Sequence, residues 1–119
     1  MCIRDSINTM NALDKKSEIV ITITEARRSP WFNMVLLNKD NFANLVLKDN
    51  ISIHRRQDAL PAFDMTTVAY FTRPEFILSN TSIWDGRVKG VLIPKERSID
   101  IDDELDFYIA ECFIKKTNN

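Results

Sequence analysis

Two aspartates in the last quarter of the chain have the residue type and the spacing to do chemistry. Asp100 and Asp102 alternate with Ile99 and Ile101, in a segment that follows the apolar run at residues 88–93. Side chains of an extended segment alternate between two sides, so if the isoleucines face the core, both aspartates project toward one point. Carboxylate oxygens without a nearby histidine or cysteine suit Mg²⁺ held beside substrate phosphates. The pattern therefore predicts a magnesium site.

Helix capping explains most of the same acidic run without a metal. Apolar residues recur at helical spacing over residues 101–113, which predicts a helix there with one apolar side. Asp102 is a good N-cap residue, and Asp103 and Glu104 would then lie in a first turn that favours acidic side chains. Capping does not explain Asp100. The pattern alone leaves both interpretations open.

Composition limits the chain to one domain at most. Its 119 residues are 45% hydrophobic and 28% charged, with a formal net charge of −1. That charge argues against a nucleic-acid-binding face. No apolar run approaches the ~20 residues of a membrane span, and no signal-peptide pattern is present. We therefore expect a cytoplasmic protein that binds neither nucleic acid nor membrane.

Cysteine, histidine and glycine usage excludes several kinds of site. Cys2 and Cys112 do not make a disulfide framework, and Cys112 falls on the apolar side of the last helix, which predicts a buried thiol. His54 is the only histidine, so a histidine-rich zinc site is excluded. The only glycines are Gly86 and Gly90. No glycine-rich loop precedes a helix, and the sequence therefore contains no backbone cradle for a triphosphate.

The remaining pattern predicts a mixture of strands and helices. Residues 34–47 contain two short apolar runs around a turn-rich tetrapeptide, which is typical of a β-hairpin. Pro74 is placed to begin a short helix. Strands are predicted at residues 18–24, 34–37, 45–47, 65–71 and 88–93.

The acidic segment also resembles a signature of known enzymes. Residues 98–106, followed by Ala110 and Glu111, are similar to the C-terminal signature of the acylneuraminate cytidylyltransferases, the CMP-sialic acid synthetase-like family. The resemblance covers roughly residues 19–116. Its other motifs are Glu25-Ala26, Pro30-Trp31-Phe32-Asn33, Arg55-Arg56-Gln57-Asp58-Ala59, Met65-Thr66-Thr67-Val68-Ala69-Tyr70 and Val91-Leu92-Ile93-Pro94.

The resemblance implies a fold, a reaction and partners. The fold is α/β, the C-terminal part of a Rossmann-like, nucleotide-diphospho-sugar transferase-like three-layer structure with a mainly parallel sheet. The hairpin at residues 34–47 is then an excursion that packs against a second subunit of a homodimer. The reaction joins CTP to an acylneuraminate-type nonulosonic acid with Mg²⁺ as cofactor, giving the CMP-sugar and pyrophosphate. Because the family keeps its CTP-binding loop near the N-terminus of a longer chain, we expect residues 7–119 to be a C-terminal fragment that is inactive alone.

The resemblance also assigns roles to individual residues. Asp100 and Asp102 match the metal-binding aspartates, and Arg56 joins them as a catalytic candidate because its planar guanidinium binds carboxylate or phosphate through two hydrogen bonds. Thr66 and Thr67 stand where many relatives carry Asn-Gly. Substrate contacts are expected from Arg56, Gln57, Thr66, Thr67, Tyr70, Ile83 and Trp84. The alternative for Tyr70 is a core aromatic with its hydroxyl at the edge. The alternative for Trp84 is that its side chain simply anchors the loop to the core.

Residues 1–6 have no place in the family pattern. They read like the in-frame translation of a sequencing adapter, and we therefore expect them to lie outside the fold and to be dispensable. A short natural leader is the alternative.

Two other functions remain open. Within enzymes, the alternative is a Kdo cytidylyltransferase-like protein that acts on an eight-carbon sugar acid. Outside enzymes, the alternative is a non-catalytic module that dimerises through the hairpin at residues 34–47.

Overall fold

A computed structural model describes residues 3–48 and 55–117 of the chain, except the side chains of Arg56 and Thr117. The chain forms two compact units: Met1–Thr24 with Met65–Asn119, called the sheet unit below, and Glu25–Asp64, called the hairpin unit. In chain order the elements are α1 (Ile3–Ala12), β1 (Ile19–Glu25), β2 (Val35–Leu37), β3 (Ala43–Leu45), β4 (Phe63–Thr72), α2 (Pro74–Ser79), β5 (Val88–Leu92) and α3 (Glu104–Thr117), with 3-10 turns at Arg56–Asp58, Ile83–Asp85 and Lys95–Arg97.

Strand β1 is the buried centre of the sheet unit. It lies between β4 and β5, and it begins with three almost fully buried β-branched residues, Ile19, Val20 and Ile21. Branched side chains pack well on a pleated surface, so a short run of them favours a strand covered on both faces. Ile93, just after β5, is the other buried apolar residue in the described ranges, and its backbone N–H donates to the Ile23 carbonyl at 2.8 Å.

The sheet is mixed, with one parallel and one antiparallel pair. β5 runs parallel to β1, with Ile19 opposite Val88. On the other side, Thr22 contacts Ala69 of β4, whereas Glu18, four residues earlier in the chain, accepts a hydrogen bond from Thr72. The partner residue in β4 moves forward along the chain as the residue in β1 moves backward, so β1 and β4 are antiparallel. The α/β class is confirmed, the mainly parallel sheet is wrong for the described strands, and the three-layer Rossmann-like architecture stays a prediction.

Gly90 of β5 leaves room for the Ile23 side chain of β1. A Cβ atom at this position would come within 2.7 Å of Ile23 Cδ1, closer than real Cβ contacts. A larger side chain would therefore push Ile23 out of its place beside the sheet.

Helix α1 includes residues that the sequence interpretation placed outside the fold. Asp5 is 1% exposed, and its two carboxylate oxygens accept hydrogen bonds from Arg97 Nε at 2.8 Å and Nη2 at 3.1 Å. Thr9 is also buried and donates its hydroxyl to the Asp5 carbonyl. The expectation that residues 1–6 lie outside the fold is therefore wrong for residues 3–6, because a carboxylate in this segment is buried and paired.

The loop after α1 is organised around Asp14. Its carboxylate accepts hydrogen bonds from Lys89 Nζ at 2.9 Å and from the backbone N–H groups of Lys16 and Ser17. The Lys89 ammonium, followed by the Lys16 N–H and the Ser17 hydroxyl, holds the pKa of Asp14 well below its usual range. The same ammonium also donates to the Ala12 carbonyl, which ties the end of α1 to β5.

Helix α3 is present as predicted, but its apolar side remains open to solvent. Leu105 and Tyr108 are 65% and 63% exposed, and Cys112 is an exposed free thiol. The prediction of a buried thiol is therefore wrong, because periodicity identifies a face that can be buried and not the element that covers it. No helix within the described ranges is both long enough and apolar enough to cross a bilayer.

The hairpin unit contains the predicted hairpin. β2 and β3 are antiparallel, with Val35 opposite Leu45 and Leu37 opposite Ala43. In the connecting turn, the Asn38 side-chain oxygen accepts hydrogen bonds from two backbone N–H groups, and Asn41 has a φ of 64°. Asparagine tolerates this left-handed conformation better than most residues do. The hairpin is confirmed, with strand ends shifted by one or two residues.

The Asp5–Arg97 pair should stabilise the sheet unit more than the exposed pair between Arg87 and Glu18 does. Arg97→Met should lower the free energy of unfolding by about 2 kcal/mol, less than the 3–5 kcal/mol typical of fully buried pairs, because Arg97 is partly exposed. Arg87→Met is the control: its pair is exposed and 3.9 Å long, and its loss should cost less than about 0.5 kcal/mol. Urea denaturation measures both; equal losses would contradict the importance of the buried pair.

Candidate functional site

The acidic segment lies between an anchored turn and a helix. β5 ends at Leu92, the turn at Lys95–Arg97 follows, and Arg97 is bound to Asp5. Residues 98–103 then have no helix or strand. Ile99 is half-buried, whereas Ile101 is 54% exposed. The expectation that both isoleucines face the core is therefore wrong for Ile101.

Asp103, and not Asp102, caps α3. The Asp103 carboxylate accepts a hydrogen bond from the Asp106 backbone N–H at 2.9 Å. The Asp106 carboxylate in turn accepts from the backbone N–H groups of Asp103 at 3.3 Å and Asp102 at 3.2 Å. This reciprocal arrangement is a capping box with aspartate in the place of the usual glutamate. The N-cap alternative for Asp102 is therefore wrong, because its neighbour occupies the cap position.

The two candidate metal ligands are exposed and only one of them has a side-chain partner. Thr67 Oγ1 donates to Asp100 Oδ2 at 3.0 Å. The Asp102 carboxylate accepts no hydrogen bond from any residue that the structure describes. Neither carboxylate takes part in capping the helix, so both are available to a ligand.

The donor set fits a weakly held hard cation. In the described ranges no three His, Cys, Asp or Glu side chains gather as a ready-made cage. Mg²⁺ does not need one, because it usually keeps several waters and binds through one or two carboxylates together with substrate phosphates. Asp100 and Asp102 supply such carboxylates on an open surface. Metal binding by this pair stays a prediction.

The neighbouring threonines of β4 differ sharply in their surroundings. Thr66 is 5% exposed, and its hydroxyl contacts Thr22 Oγ1 at 2.7 Å. Thr22 Oγ1 also contacts the backbone of Ala69, at 3.1 Å to its carbonyl and 3.2 Å to its N–H. Thr66 therefore fastens β4 to β1, and of the two threonines only Thr67 presents a side chain that a ligand can reach.

Tyr70 lies beside an apolar cavity of about 640 Å³. Tyr70 is 46% exposed, and both its contact with the sugar and the alternative of a core aromatic with its hydroxyl at the edge stay predictions. The cavity is lined by Ile3, Ser6, Ile7 and Met10 of α1 and by residues 67–71 of β4.

Local hydrogen bonds close the loop that carries Trp84, but the indole remains exposed to solvent. Ser82 Oγ accepts from the Trp84 backbone N–H, and Asp85 Oδ2 accepts from the backbone N–H groups of Thr81 and Ser82. These bonds form a capping box around the turn Ile83–Asp85. Trp84 is 65% exposed, whereas Ile83 is half-buried. Local hydrogen bonds therefore hold the shape of this turn, and the Trp84 side chain remains available to a ligand.

Two of the predicted substrate-binding residues belong to the hairpin unit. Gln57 is exposed in the turn Arg56–Asp58. The Arg56 side chain and His54 lie outside the described part of the chain. Within this unit a cavity of about 200 Å³ is lined by Glu25, Ala26, Arg28, Ser29 and residues 59–63. The roles of Arg56 and Gln57 stay predictions.

Sequence reasoning missed two features of the site. The Asp103–Asp106 capping box has a local signal, an N-cap residue followed three positions later by an acid, and that spacing was sufficient to find it. The Thr67–Asp100 hydrogen bond joins residues 33 positions apart. Their separation carries no periodic signal, so only the fold shows it.

The chain is similar to two Campylobacter proteins. It is 30% identical over 121 residues to the post-translational flagellin modification protein B of Campylobacter coli, with 98% of this chain and 50% of that protein aligned. It is 33% identical over 100 residues to the CMP-N,N′-diacetyllegionaminic acid synthase of Campylobacter jejuni, with 83% of this chain and 41% of that protein aligned. No family model matches the chain. The chain thus spans about half of the length of the curated relatives that it matches.

These similarities have two consequences. Relatives at this identity, one of them named as a CMP-sugar synthase, are consistent with a cytidylyltransferase family. The alignment that includes 98% of the chain leaves out two of its 119 residues, so at least four of residues 1–6 lie within it. The interpretation of residues 1–6 as a translated adapter therefore has no support from the comparisons or from the structure.

Alanine substitutions separate the cap from the candidate metal ligand. Asp103→Ala should lower the free energy of unfolding by about 1 kcal/mol, the usual cost of losing an N-cap side chain. Asp102→Ala should change it by less than about 0.5 kcal/mol, because that carboxylate is exposed and does not cap the helix. Urea denaturation without added metal measures both. A larger loss for Asp102→Ala would restore the capping role to that residue.

Proposed function

We propose that this chain is the C-terminal part of a cytidylyltransferase that joins CMP from CTP to a nonulosonic sugar acid. The observation that carries the proposal is that Asp100 and Asp102, in the segment that resembles the family signature, are exposed and take no part in the helix cap. Similarity to a CMP-N,N′-diacetyllegionaminic acid synthase supports a transferase of this kind. The named product of that relative favours a nonulosonic acid over Kdo.

In the proposed reaction a hydroxyl oxygen of the sugar acid attacks the α-phosphorus of CTP. A new oxygen–phosphorus bond forms, the bond from the α-phosphorus to the oxygen bridging to the β-phosphate breaks, pyrophosphate leaves with that oxygen, and the hydroxyl proton is released to water. Such transfers depend mainly on positioning and charge neutralisation. Asp100 and Asp102 would hold Mg²⁺, which supplies that neutralisation when bound.

Other residues of the chain would bind and orient the sugar acid. Arg56 and Gln57 are proposed to contact its carboxylate and the phosphates, and Tyr70 is proposed to contact the sugar. Exposed Trp84, with half-buried Ile83 beside it, offers an apolar surface to an acyl substituent. We assign no general base, because no side chain in the described part of the chain is placed for that role.

Binding of the nucleoside triphosphate is proposed to require a glycine-rich loop that this chain does not contain. Gly86 and Gly90 are its only glycines, and neither belongs to a glycine-rich loop before a helix. We therefore propose that the CTP-binding loop belongs to a longer protein and that these 119 residues alone do not catalyse the reaction.

Substituting each acid of the segment in the full-length protein tests the proposed function. Asp100→Asn and Asp102→Asn should each reduce CMP-sugar formation from CTP and N,N′-diacetyllegionaminic acid by about 100-fold or more, because each removes an anionic metal ligand. Asp103→Asn is the matched control, and it should keep most of the activity because asparagine caps a helix about as well as aspartate does.

Product formation is measured across a Mg²⁺ series, with Kdo as the second acceptor and the 119-residue chain alone as the inactive reference. Near-normal rates for both Asp100→Asn and Asp102→Asn would refute the metal assignment. Preferential use of Kdo would refute the nonulosonic acid. Product formed by the chain alone would refute the need for a separate CTP-binding loop.

We also propose that the enzyme is a homodimer that associates through the hairpin. Val35, Leu36 and Leu37 of β2 are 54%, 61% and 64% exposed, and Phe42 in the turn is 69% exposed. Consecutive strand residues point to opposite sides, so both faces of β2 present apolar surface. Such surfaces are typical of protein–protein contacts. The same surface favours a non-catalytic dimerisation module as the second candidate function, and the activity series above distinguishes the two.

Charge placed on β2 should prevent this association. Val35→Glu with Leu37→Glu in the full-length protein should convert dimers into monomers in sedimentation velocity, because burying two unpaired carboxylates in an apolar contact is unfavourable. Lys39→Glu in the exposed turn introduces a carboxylate away from the apolar strand and should leave the dimer intact. Dimers that survive the double substitution would place the subunit contact elsewhere.

A further inference from the structure

Thr67 makes the only side-chain hydrogen bond to Asp100 within the part of the chain that the structure describes. Thr67 Oγ1 donates to Asp100 Oδ2 at 3.0 Å. Asp100 lies in a segment without helix or strand, so no regular backbone structure fixes its side chain. A hydroxyl that donates to one carboxylate oxygen restricts the orientation of the whole group, because both oxygens rotate together.

The donor is itself held in place. Thr67 lies on β4, and the preceding residue, Thr66, is bound to Thr22 in the buried part of the sheet. Ala69, two residues later, is bound to the same Thr22 hydroxyl through its backbone. β-branched side chains have few rotamers, so the Thr67 hydroxyl is delivered from a stiff side chain on an anchored strand.

We infer that Thr67 is a positioning residue that orients Asp100 toward the cation, an inference that rests on the proposed function. Its hydroxyl donates to Asp100 Oδ2, and no described residue donates to Oδ1, so Oδ1 is open to the metal. Asp102 has no comparable partner in the described ranges. The two carboxylates therefore have different roles. The Asp100 side chain is already oriented before the cation binds, whereas the Asp102 side chain takes its orientation on binding.

Groups that hydrogen-bond to metal ligands commonly affect metal affinity by 10–100-fold when they are lost. Because Thr67 and Asp100 are both exposed, the low end of that range applies. Thr67→Val removes the hydroxyl and keeps the branched shape, and it should weaken Mn²⁺ binding by about tenfold. Thr67→Ser keeps the hydroxyl and should retain most of the affinity.

In the experiment, the full 119-residue chain is titrated with Mn²⁺ alone, and binding is monitored through the relaxation rate of the water protons. Asp100→Asn serves as the reference for loss of a ligand. Thr66→Val is the matched control: the same substitution at the neighbouring position removes the bond to Thr22 and should lower the melting temperature. Below that temperature its effect on Mn²⁺ affinity should be smaller than that of Thr67→Val, because the backbone of Ala69 still binds the Thr22 hydroxyl and holds β4. Thr67→Val should show the reverse, weaker binding with an unchanged melting temperature.

Each result decides between distinct claims. If Asp100→Asn weakens Mn²⁺ binding and Thr67→Val does not, Thr67 is not a positioning residue and the metal site stands. If Asp100→Asn has no effect, the proposed metal site itself fails. Weak binding by both Thr67→Val and Thr67→Ser would show that the hydroxyl is not responsible, and unfolding of Thr67→Val would show that Thr67 supports the fold; either result overturns the inference.

Discussion

The structure of the sheet unit depends on the burial of β1. This strand is covered on both faces and paired on both edges. The hydroxyl of its Thr22 receives hydrogen bonds from the Thr66 hydroxyl and from the Ala69 backbone N–H. Leaving the Thr22 hydroxyl unpaired would cost free energy, which favours the β4 register that satisfies it. That register fixes which threonine of β4 faces inward. It places Thr66 in the core and Thr67 next to Asp100.

Local sequence patterns predict the helices and strands, but they do not predict contacts between residues far apart in the chain. The buried strand, the hairpin and the last helix follow from residue type and period, because each signal lies within one segment. The Asp5–Arg97 pair joins residues 92 positions apart, and nothing local indicates that Asp5 is buried. For the cap, Asp102 and Asp103 were both suitable by type, and the spacing of Asp103 to Asp106 distinguishes them. The exposure of Cys112 could not be read from its helical phase, which does not say what covers a face.

Much apolar surface in the described ranges is left in contact with water. The apolar side of α3, the strand β2 and the cavity beside Tyr70 are each exposed or open. Surfaces of this kind are normally occupied by another part of the protein or by a partner. This agrees with the proposal that the chain works within a longer, dimeric enzyme, as does a buried apolar core that in these ranges is confined to β1 and Ile93.

The separation of the helix cap from the candidate ligands has a consequence for how the acidic segment can vary over evolution. Positions 103 and 106 act as a reciprocal pair, so drift can exchange them together, for example to serine with glutamate, without loss of the helix. If positions 100 and 102 bind the cation as proposed, they would tolerate only another hard, anionic oxygen donor. In related sequences, positions 103 and 106 should therefore change together, whereas positions 100 and 102 should be strictly retained.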